Sequence, residues 1–357
     1  MNSALVTRRE GAVLILSNNN PAARNALSPE YYHAVMDGLR AAGTDASVAA
    51  VILTGEGGHF CAGGDLNQLA TRRAMPLAER RIKLEDLNHL IRAIRDCPKP
   101  VIAAVEGAAA GAGLSLAMAC DLMVAAKSAV FSVAYVKVGL TPDGGATSFL
   151  AEFVSRQVLT ELCLTGERIS GERMHALGCI NRLTETGAAL PAALALAQQL
   201  AQGPEVATAR IKTLCRVAHH HSLEEQLALE ADYMVEAQGS EESREGIGAC
   251  LEKRAPDFAR LRSAEERGLT HRVIELKHHA GIAQHIDLCA PVTVEVIAQG
   301  RNGRNAPAML VVERDFLVER KFVAVNDAAR ELDEQARGAV ERPEAPAVIS
   351  VLAGLAE

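Results

Sequence analysis

The stretch from Val101 to Asp121, VIAAVEGAAAGAGLSLAMACD, limits the possible folds more than any other part of this chain. Val101–Val105 are five small or β-branched apolar residues, which read as a buried strand. The Gly- and Ala-rich residues 107–113 make a turn with almost no side-chain bulk, and an apolar helix follows. Small residues let a ligand approach the backbone closely, and the first N–H groups of a helix have no partner within it. A strand, a bare loop and a helix N-terminus in this order can present donors to a partly negative oxygen.

A second stretch has the same character: Val51-Ile52-Leu53-Thr54-Gly55 is followed by Phe60-Cys61-Ala62-Gly63-Gly64-Asp65-Leu66. Two such loops brought together supply two N–H groups to one oxygen, as stabilising an enolate or a tetrahedral intermediate requires. The phrases FCAGGDL, GAAAGAGLSLAMACDL, GLTPDGG and EGIGACLEKRAPDF, in that order, resemble the enoyl-CoA hydratase/isomerase (crotonase) superfamily over about residues 1–262.

Strands alternating with helices indicate an α/β core, and pattern alone does not separate a doubly wound sheet from other α/β arrangements. The resemblance implies a spiral of repeated ββα units over residues 1–200. It also implies a C-terminal helical region over 201–262 that covers the acyl pocket and makes homotrimers, often stacked as hexamers. Along the chain, residues 5–8 and 12–16 read as a hairpin around Glu10-Gly11. Ser28-Pro29-Glu30 starts a helix to about Arg40, with a capping Ser and Pro at the first helical position. A pocket-forming helix is expected around residues 66–84. Leu84, Leu87, Leu90, Ile91 and Ile94 share a helix face that ends before Pro98-Lys99-Pro100. Gly203-Pro204 breaks one helix, and Ser222-Leu223-Glu224-Glu225 opens another to about Ala237 with a capping box. Beyond residue 262 no motif is recognisable. Residues 291–297 alternate like a strand, and Arg301-Asn302-Gly303-Arg304 offers a turn back onto residues 309–312. Three readings of 263–357 stay open: a small added α/β unit, a loosely ordered extension, or out-of-frame translation past a normal stop.

Hydrophobic residues make up 49% of the 357 and charged residues 23%, enough for a sizeable core. The net charge of −7 comes without an extended Lys/Arg block, which argues against nucleic-acid binding. The eight Cys, at 61, 97, 120, 163, 179, 215, 250 and 289, contain no CxxC pair and suggest free thiols in a reducing compartment. No apolar run reaches membrane-spanning length and the first residues do not read as a leader, so no membrane partner is expected and the location expected is cytoplasmic.

The resemblance carries specific residues. The backbone N–H groups of Gly64 and Ala112 stand at the two oxyanion donor positions, Ala112 where Gly is common. Ala62, Gly63, Asp65, Leu66 and Gly111 belong to the same loops, with Asp65 and Asp121 expected to act as structural acceptors. Arg24, in NPAARNALS, is a candidate CoA phosphate contact. Lys253 and Phe258 are candidates to reach CoA from a neighbouring subunit. The two Glu that serve family hydratases are replaced by Ser115 and Tyr135, which become candidates to line the acyl pocket. Asp143 remains at a turn where double-bond isomerases of the family place a proton-shuttling Asp, although Pro-Asp-Gly is also ordinary turn chemistry. The expected activity is isomerisation of an enoyl-CoA with Asp143 as shuttle, with hydration as the alternative. CoA enters as part of the substrate; no separate cofactor and no metal are expected.

Other readings compete. A non-catalytic acyl-CoA-binding protein would keep the pocket alone. Gly113-Leu114-Ser115-Leu116-Ala117 approximates a nucleophile elbow, with Asp143 and His175 following in hydrolase order, although Ala replaces the last Gly. Cys61 has no neighbouring base in the sequence and reads as a buried small residue. His219-His220-His221 reads as a solvated face.

Overall fold

The computed structural model describes residues 3–262 in full and, beyond them, the backbone of three strands, Val292–Gln299, Asn305–Val312 and Ile349–Gly354. The chain divides into two compact units, Met1–Thr270 and His271–Glu357.

In the first unit β1 (Leu5–Glu10) and β2 (Val13–Asn18) form the expected hairpin about Gly11, which takes the positive φ of +60° that the tight turn needs. Asn25, also left-handed at φ +59°, is fully buried in the loop that follows. Its amide donates to the Glu56 and His59 carbonyls and its Oδ1 accepts from the Asn20 N–H, so one side chain replaces the hydrogen bonds of a missing strand. Helix α1 (Pro29–Thr44) starts where expected, with Ser28 Oγ accepting from the Tyr31 N–H, and runs one turn beyond Arg40. After β3 (Ala50–Gly55), the single helix expected around 66–84 is in fact two, α2 (Leu66–Arg72) and α3 (Leu77–Asp96). The physical reason is Pro76: it has no N–H to continue α2 and takes an extended ψ of 154°, so it can only open the next helix. On α3 the core face is Leu87, Leu90, Ile91 and Ile94, whereas Leu84 is 39% exposed because the helix there runs past the edge of the core.

Strand β4 (Val101–Val105), β5 (Ala108–Ala110), the fully buried α4 (Ala112–Ala119), β6 (Leu122–Ala126) and β7 (Val130–Ser132) follow. Then come α5 (Ala146–Ala151), α6 (Arg156–Thr165), β8 (Ile169–Ser170), α7 (Gly171–Ala176), β9 (Arg182–Thr184) and α8 (Ala189–Leu200). The main sheet has the order β1-β2-β3-β4-β6-β9, parallel from β2 onward, and β5-β7-β8 form a second, small sheet. A parallel sheet must be covered on both faces, and the alternation along the strands shows how this is met. Val13, Ile15, Ala50, Ile52, Ile102, Ala104 and Val124 pack with α8, while Leu16, Val51, Leu53, Ala103 and Met123 share the larger cluster with α1, α3 and α4.

The last helices, α9 (Glu205–Val217), α10 (Leu223–Gln238) and α11 (Glu241–Leu251), attach through charge. Lys212 bonds Asp121 at 2.7 Å, Arg216 bonds Asp96 at 2.5 Å, and the buried Lys99 meets Glu205. The expected capping box is present, with Ser222 Oγ accepting from the Glu225 N–H and the Glu225 carboxylate accepting from the Ser222 N–H. On α10 and α11, Leu223, Leu227, Met234, Val235, Ile247 and Leu251 are all exposed.

In the second unit β10 (Val292–Gln299) pairs antiparallel with β11 (Asn305–Val312) and with β12 (Ile349–Gly354). The turn expected at 301–304 and Cys289 lie outside the described residues.

Candidate active site

The two glycine loops lie against each other, joined by main-chain hydrogen bonds. The Phe60 N–H donates to the Glu106 carbonyl and the Cys61 N–H to the Ala108 carbonyl, both at 2.8 Å, and the Ala110 N–H returns to the Cys61 carbonyl at 3.0 Å. The ring nitrogen Nδ1 of His59 accepts from the Ala108 N–H at 3.1 Å. Cys61 thus extends the small sheet by one bridge to Ala109. This close approach demands glycine: a Cβ on Gly113 would sit 2.3 Å from the Cys61 carbonyl oxygen, and one on Gly63 would sit 2.7 Å from the Ala110 oxygen and 3.6 Å from the Ala112 nitrogen. Gly111, with φ +52°, turns the chain into α4 while its N–H is held by the Ser132 carbonyl at 2.9 Å.

Gly64 and Ala112 are therefore brought together, one after each bonded stretch. The Leu27 N–H holds the Gly63 carbonyl at 2.8 Å, and the Arg24 carbonyl accepts from the Ala62 N–H at 3.0 Å. Among the described residues the Gly64 and Ala112 N–H groups themselves have no acceptor, as is usual for a first-turn donor such as Ala112, whereas Gly64 precedes the Asp65 cap of α2. The Ala112 methyl is buried within the core cluster, so the Cβ at that position is accommodated by packing and leaves the N–H in place.

On the other side stand the side chains. Tyr135, on a 3-10 turn over Ala134–Val138, donates from its hydroxyl to Asp143 Oδ1 at 2.8 Å. Ser115 Oγ, fully buried on α4, donates to the Asp143 main-chain carbonyl at 2.9 Å and lies 3.3 Å from the Tyr135 hydroxyl. The Asp143 turn packs tightly here: a Cβ on Gly144 would sit 3.1 Å from Ser115 Cβ and 3.3 Å from Leu87. Gly111 faces the Tyr135 ring, which places the Asp143 group beside the donor loops.

The electrostatics follow from burial. Burial raises the Asp143 pKa above the ordinary aspartate value, opposed by the Tyr135 hydrogen bond and by the charge of Arg72. Burial, with the neighbouring Asp143 carboxylate, also raises the Tyr135 phenol, so Tyr135 stays protonated as a donor. Burial pushes the Cys61 thiol up to about 12, while Sγ accepts from the Gly63 N–H at 3.4 Å. Cys61 is thus a packed thiol, as its sequence context suggested.

The remaining candidates are more dispersed. Asp65 caps α2 by accepting from the Asn67 N–H, and Leu66, at the start of that helix, is 59% exposed. Asp121 accepts from the Val101 N–H at 2.7 Å and holds the start of the central strand. Arg24 is exposed in its loop, so its local role is through the main chain. Lys253, exposed with φ +55°, ends α11, and the Phe258 ring would sit 3.2 Å from a Cβ on Gly246. Around them Glu245 is gripped by Arg254 and Arg260 and by the Asp257 N–H, which hold its carboxyl down to about 2. The nucleophile-elbow arrangement is not formed: Ser115 bonds Tyr135 and the Asp143 carbonyl, whereas the exposed His175 bonds the Ile180 carbonyl through Nδ1.

Two residues that the sequence did not single out also face this region. Tyr32, on the first turn of α1, is 7% exposed and feels the charges of Arg72, Asp143 and Asp86. Arg72 ends α2. The Tyr31-Tyr32 pair on an amphipathic helix was a usable signal for the first, whereas nothing local marked Arg72.

Among the described residues no helix is long and apolar enough to cross a membrane, and no cluster of three His, Cys, Asp or Glu has metal-binding geometry.

Two loops joined by main-chain hydrogen bonds lie beside a half-buried carboxyl in this α/β fold. The enoyl-CoA hydratase/isomerase family model matches residues 8–261, and the chain belongs to that family of acyl-CoA enzymes. It is 36% identical over 255 residues to 1,2-epoxyphenylacetyl-CoA isomerase of Escherichia coli, covering 71% of this chain and 97% of that one. It is 34% identical to 2,3-dehydroadipyl-CoA hydratase of the same organism, covering 72% of this chain and 98% of that one. Among solved structures, an enoyl-CoA hydratase from Polaromonas sp. JS666 superposes with a TM-score of 0.69 at 46% identity, over 71% of this chain and 98% of that one.

Proposed function

We propose that this enzyme isomerises the double bond of an enoyl-CoA. The Gly64 and Ala112 N–H groups receive the thioester oxygen, and Asp143 moves a proton between two carbons of the acyl chain. An acyl-CoA thioester is a weak carbon acid, and its enolate becomes accessible when two fixed donors meet the developing oxygen charge; one such donor contributes about two to three powers of ten in rate. The observation that carries the reading is the Tyr135–Asp143 hydrogen bond: it directs Oδ1, while burial raises the carboxyl pKa toward the range where a group both takes and returns a proton. CoA is carried by the substrate, and the chemistry calls for no separate cofactor.

Hydration is the second reading. It is favoured by the hydratase names among the relatives and by the Ser115 and Tyr135 hydroxyls, which offer partners for a water that Asp143 can activate. Mass spectrometry of 2-enoyl- and 3-enoyl-CoA esters incubated in D2O separates the two. Deuterium entering carbon with a shifted double bond, and vanishing in Asp143→Asn, supports the shuttle. Net water addition that survives the substitution overturns Asp143 as base. Binding without turnover or exchange on any ester would favour a binding protein.

The exposed apolar faces of α10 and α11 support assembly into a trimer, which light scattering on the purified protein tests. Arg24, Lys253 and Phe258 are proposed CoA contacts. Residues 1–200 are proposed as the spiral core and 201–262 as the helical region.

A further inference from the structure

The hydrogen bonds of the Asp143 turn can be followed proton by proton. The Asp143 main-chain carbonyl accepts from the Ala146 N–H at 3.2 Å and from Ser115 Oγ at 2.9 Å. A carbonyl oxygen has two lone pairs, and both are thereby taken. The Tyr135 hydroxyl lies 3.3 Å from that same carbonyl, 3.3 Å from Ser115 Oγ and 2.8 Å from Asp143 Oδ1. A phenol has one proton, so Tyr135 serves only one of these oxygens at a time. Ser115 and Tyr135 are both buried, which makes the choice of partner matter more than it would in water.

We propose that Ser115 is a positioning residue for Asp143: by occupying the second lone pair of the Asp143 carbonyl, it sends the Tyr135 proton to the carboxylate oxygen Oδ1. Ser115 stands on α4 one turn after Ala112, with its own N–H on the Gly111 carbonyl at 3.3 Å. The helix that presents the proposed Ala112 donor therefore also holds the turn that carries the proposed base. Contact between the two is close, since a Cβ on Gly144 would lie 3.1 Å from Ser115 Cβ. With Oδ1 engaged by Tyr135, Oδ2 makes no hydrogen bond among the described residues and is the oxygen left to take a proton and return it. Ser115 thus acts through Tyr135 and the turn, without touching the substrate. Its bearing on catalysis rests on the reading of Asp143 as proton shuttle, whereas the hydrogen-bond arrangement stands without that reading. Removing Ser115 Oγ vacates one lone pair of the carbonyl, which then competes with Oδ1 for the Tyr135 proton. A carboxylate that loses part of a donor is less stable as the anion, so its pKa rises. A packing role alone has the opposite sign: a loosened turn admits water, which favours the anion and undoes the effect of burial.

The test is a carbon-13 NMR titration of the full-length chain labelled at its aspartate carboxyls, the Asp143 signal being identified by its loss in Asp143→Asn. Wild type, Ser115→Ala, Tyr135→Phe and the double variant are compared without substrate. Arg72 of α2 acts on Asp143, and Tyr32 of α1 feels Asp143, in all four proteins alike. Tyr135→Phe is expected to raise the Asp143 midpoint by about one pH unit, the scale of one hydrogen bond to a charged group. Ser115→Ala is expected to raise it by a smaller amount, and to add nothing once the Tyr135 hydroxyl is gone. A midpoint that Ser115→Ala leaves unchanged or lowers would overturn the proposal. So would an equal rise with and without the Tyr135 hydroxyl, since Ser115 would then not act through it. The acid limb of the isomerisation rate, followed in the same variants, is expected to move with the midpoint. A midpoint that rises as expected beside an unmoved limb would overturn Asp143 as shuttle and still support the placing of the Tyr135 proton by Ser115.

Discussion

Residues 58–64 and 106–113 meet main chain to main chain, whereas Ser115, Tyr135 and Asp143 meet through hydroxyls and a carboxyl. The first pair of segments is held at fixed spacing by a ladder of backbone hydrogen bonds and by glycines with no room for a side chain. The second group is held by three side chains on separate turns. Main-chain N–H groups survive most changes of side chain, as Ala112 illustrates, so the proposed donor pair would tolerate substitution. The proposed acid/base group is made of side chains and would change with each substitution there.

The contrast can be broken most severely from the backbone side. Gly113→Val puts carbon within van der Waals distance of the Cys61 carbonyl and pries the loops apart. Activity is expected to fall by about two to three powers of ten, as for loss of an oxyanion donor, with destabilisation of about 1–3 kcal/mol from overpacking. Steady-state kinetics and thermal melting check both. Asp143→Asn should remove about two to four powers of ten of isomerisation while the backbone donors keep binding the thioester, so Kd for a saturated acyl-CoA stays within a few-fold. Because burial raises the Asp143 pKa in the folded protein, its stabilising contribution is complete below the unfolded pKa and is lost as pH rises through the folded one. The Asn variant is therefore expected to melt higher than wild type at neutral pH, a result that equal or lower melting would refute.

Tyr135→Phe sharpens the comparison more gently. Its hydroxyl stabilises the Asp143 carboxylate, so losing it raises the carboxyl pKa further, and the acid limb of the pH-rate profile should move to higher pH. A shift to lower pH would contradict the assigned hydrogen bond. Ala112→Gly, which keeps the N–H, should change kcat/KM least, by less than about tenfold, the scale of one methyl group in a pocket. A larger loss would show that the methyl shapes the pocket.

The donor loops were legible in the chain because their chemistry is local. A buried strand, small residues and a helix start follow one another without a break, and four phrases in order carried the family. The carboxyl at Asp143 was visible as a type of residue in a type of turn, but its raised pKa was not, because that depends on its burial in the folded chain. The single helix expected around 66–84 failed at Pro76, whose missing N–H divides it into α2 and α3, and Leu84 shows that apolar spacing does not say where a core ends.

What the sequence determined by itself is therefore the set of short-range features: the order of strands and helices, the caps at Ser28 and Ser222, and the bare loops that only glycine and alanine permit. Tertiary structure alone decided which loops cross and which donors are left without acceptors. Those relations join residues about fifty positions apart in the chain, as Cys61 and Ala110 are. They are set by how helices cover a twisted parallel sheet, and no local pattern of residues encodes that packing.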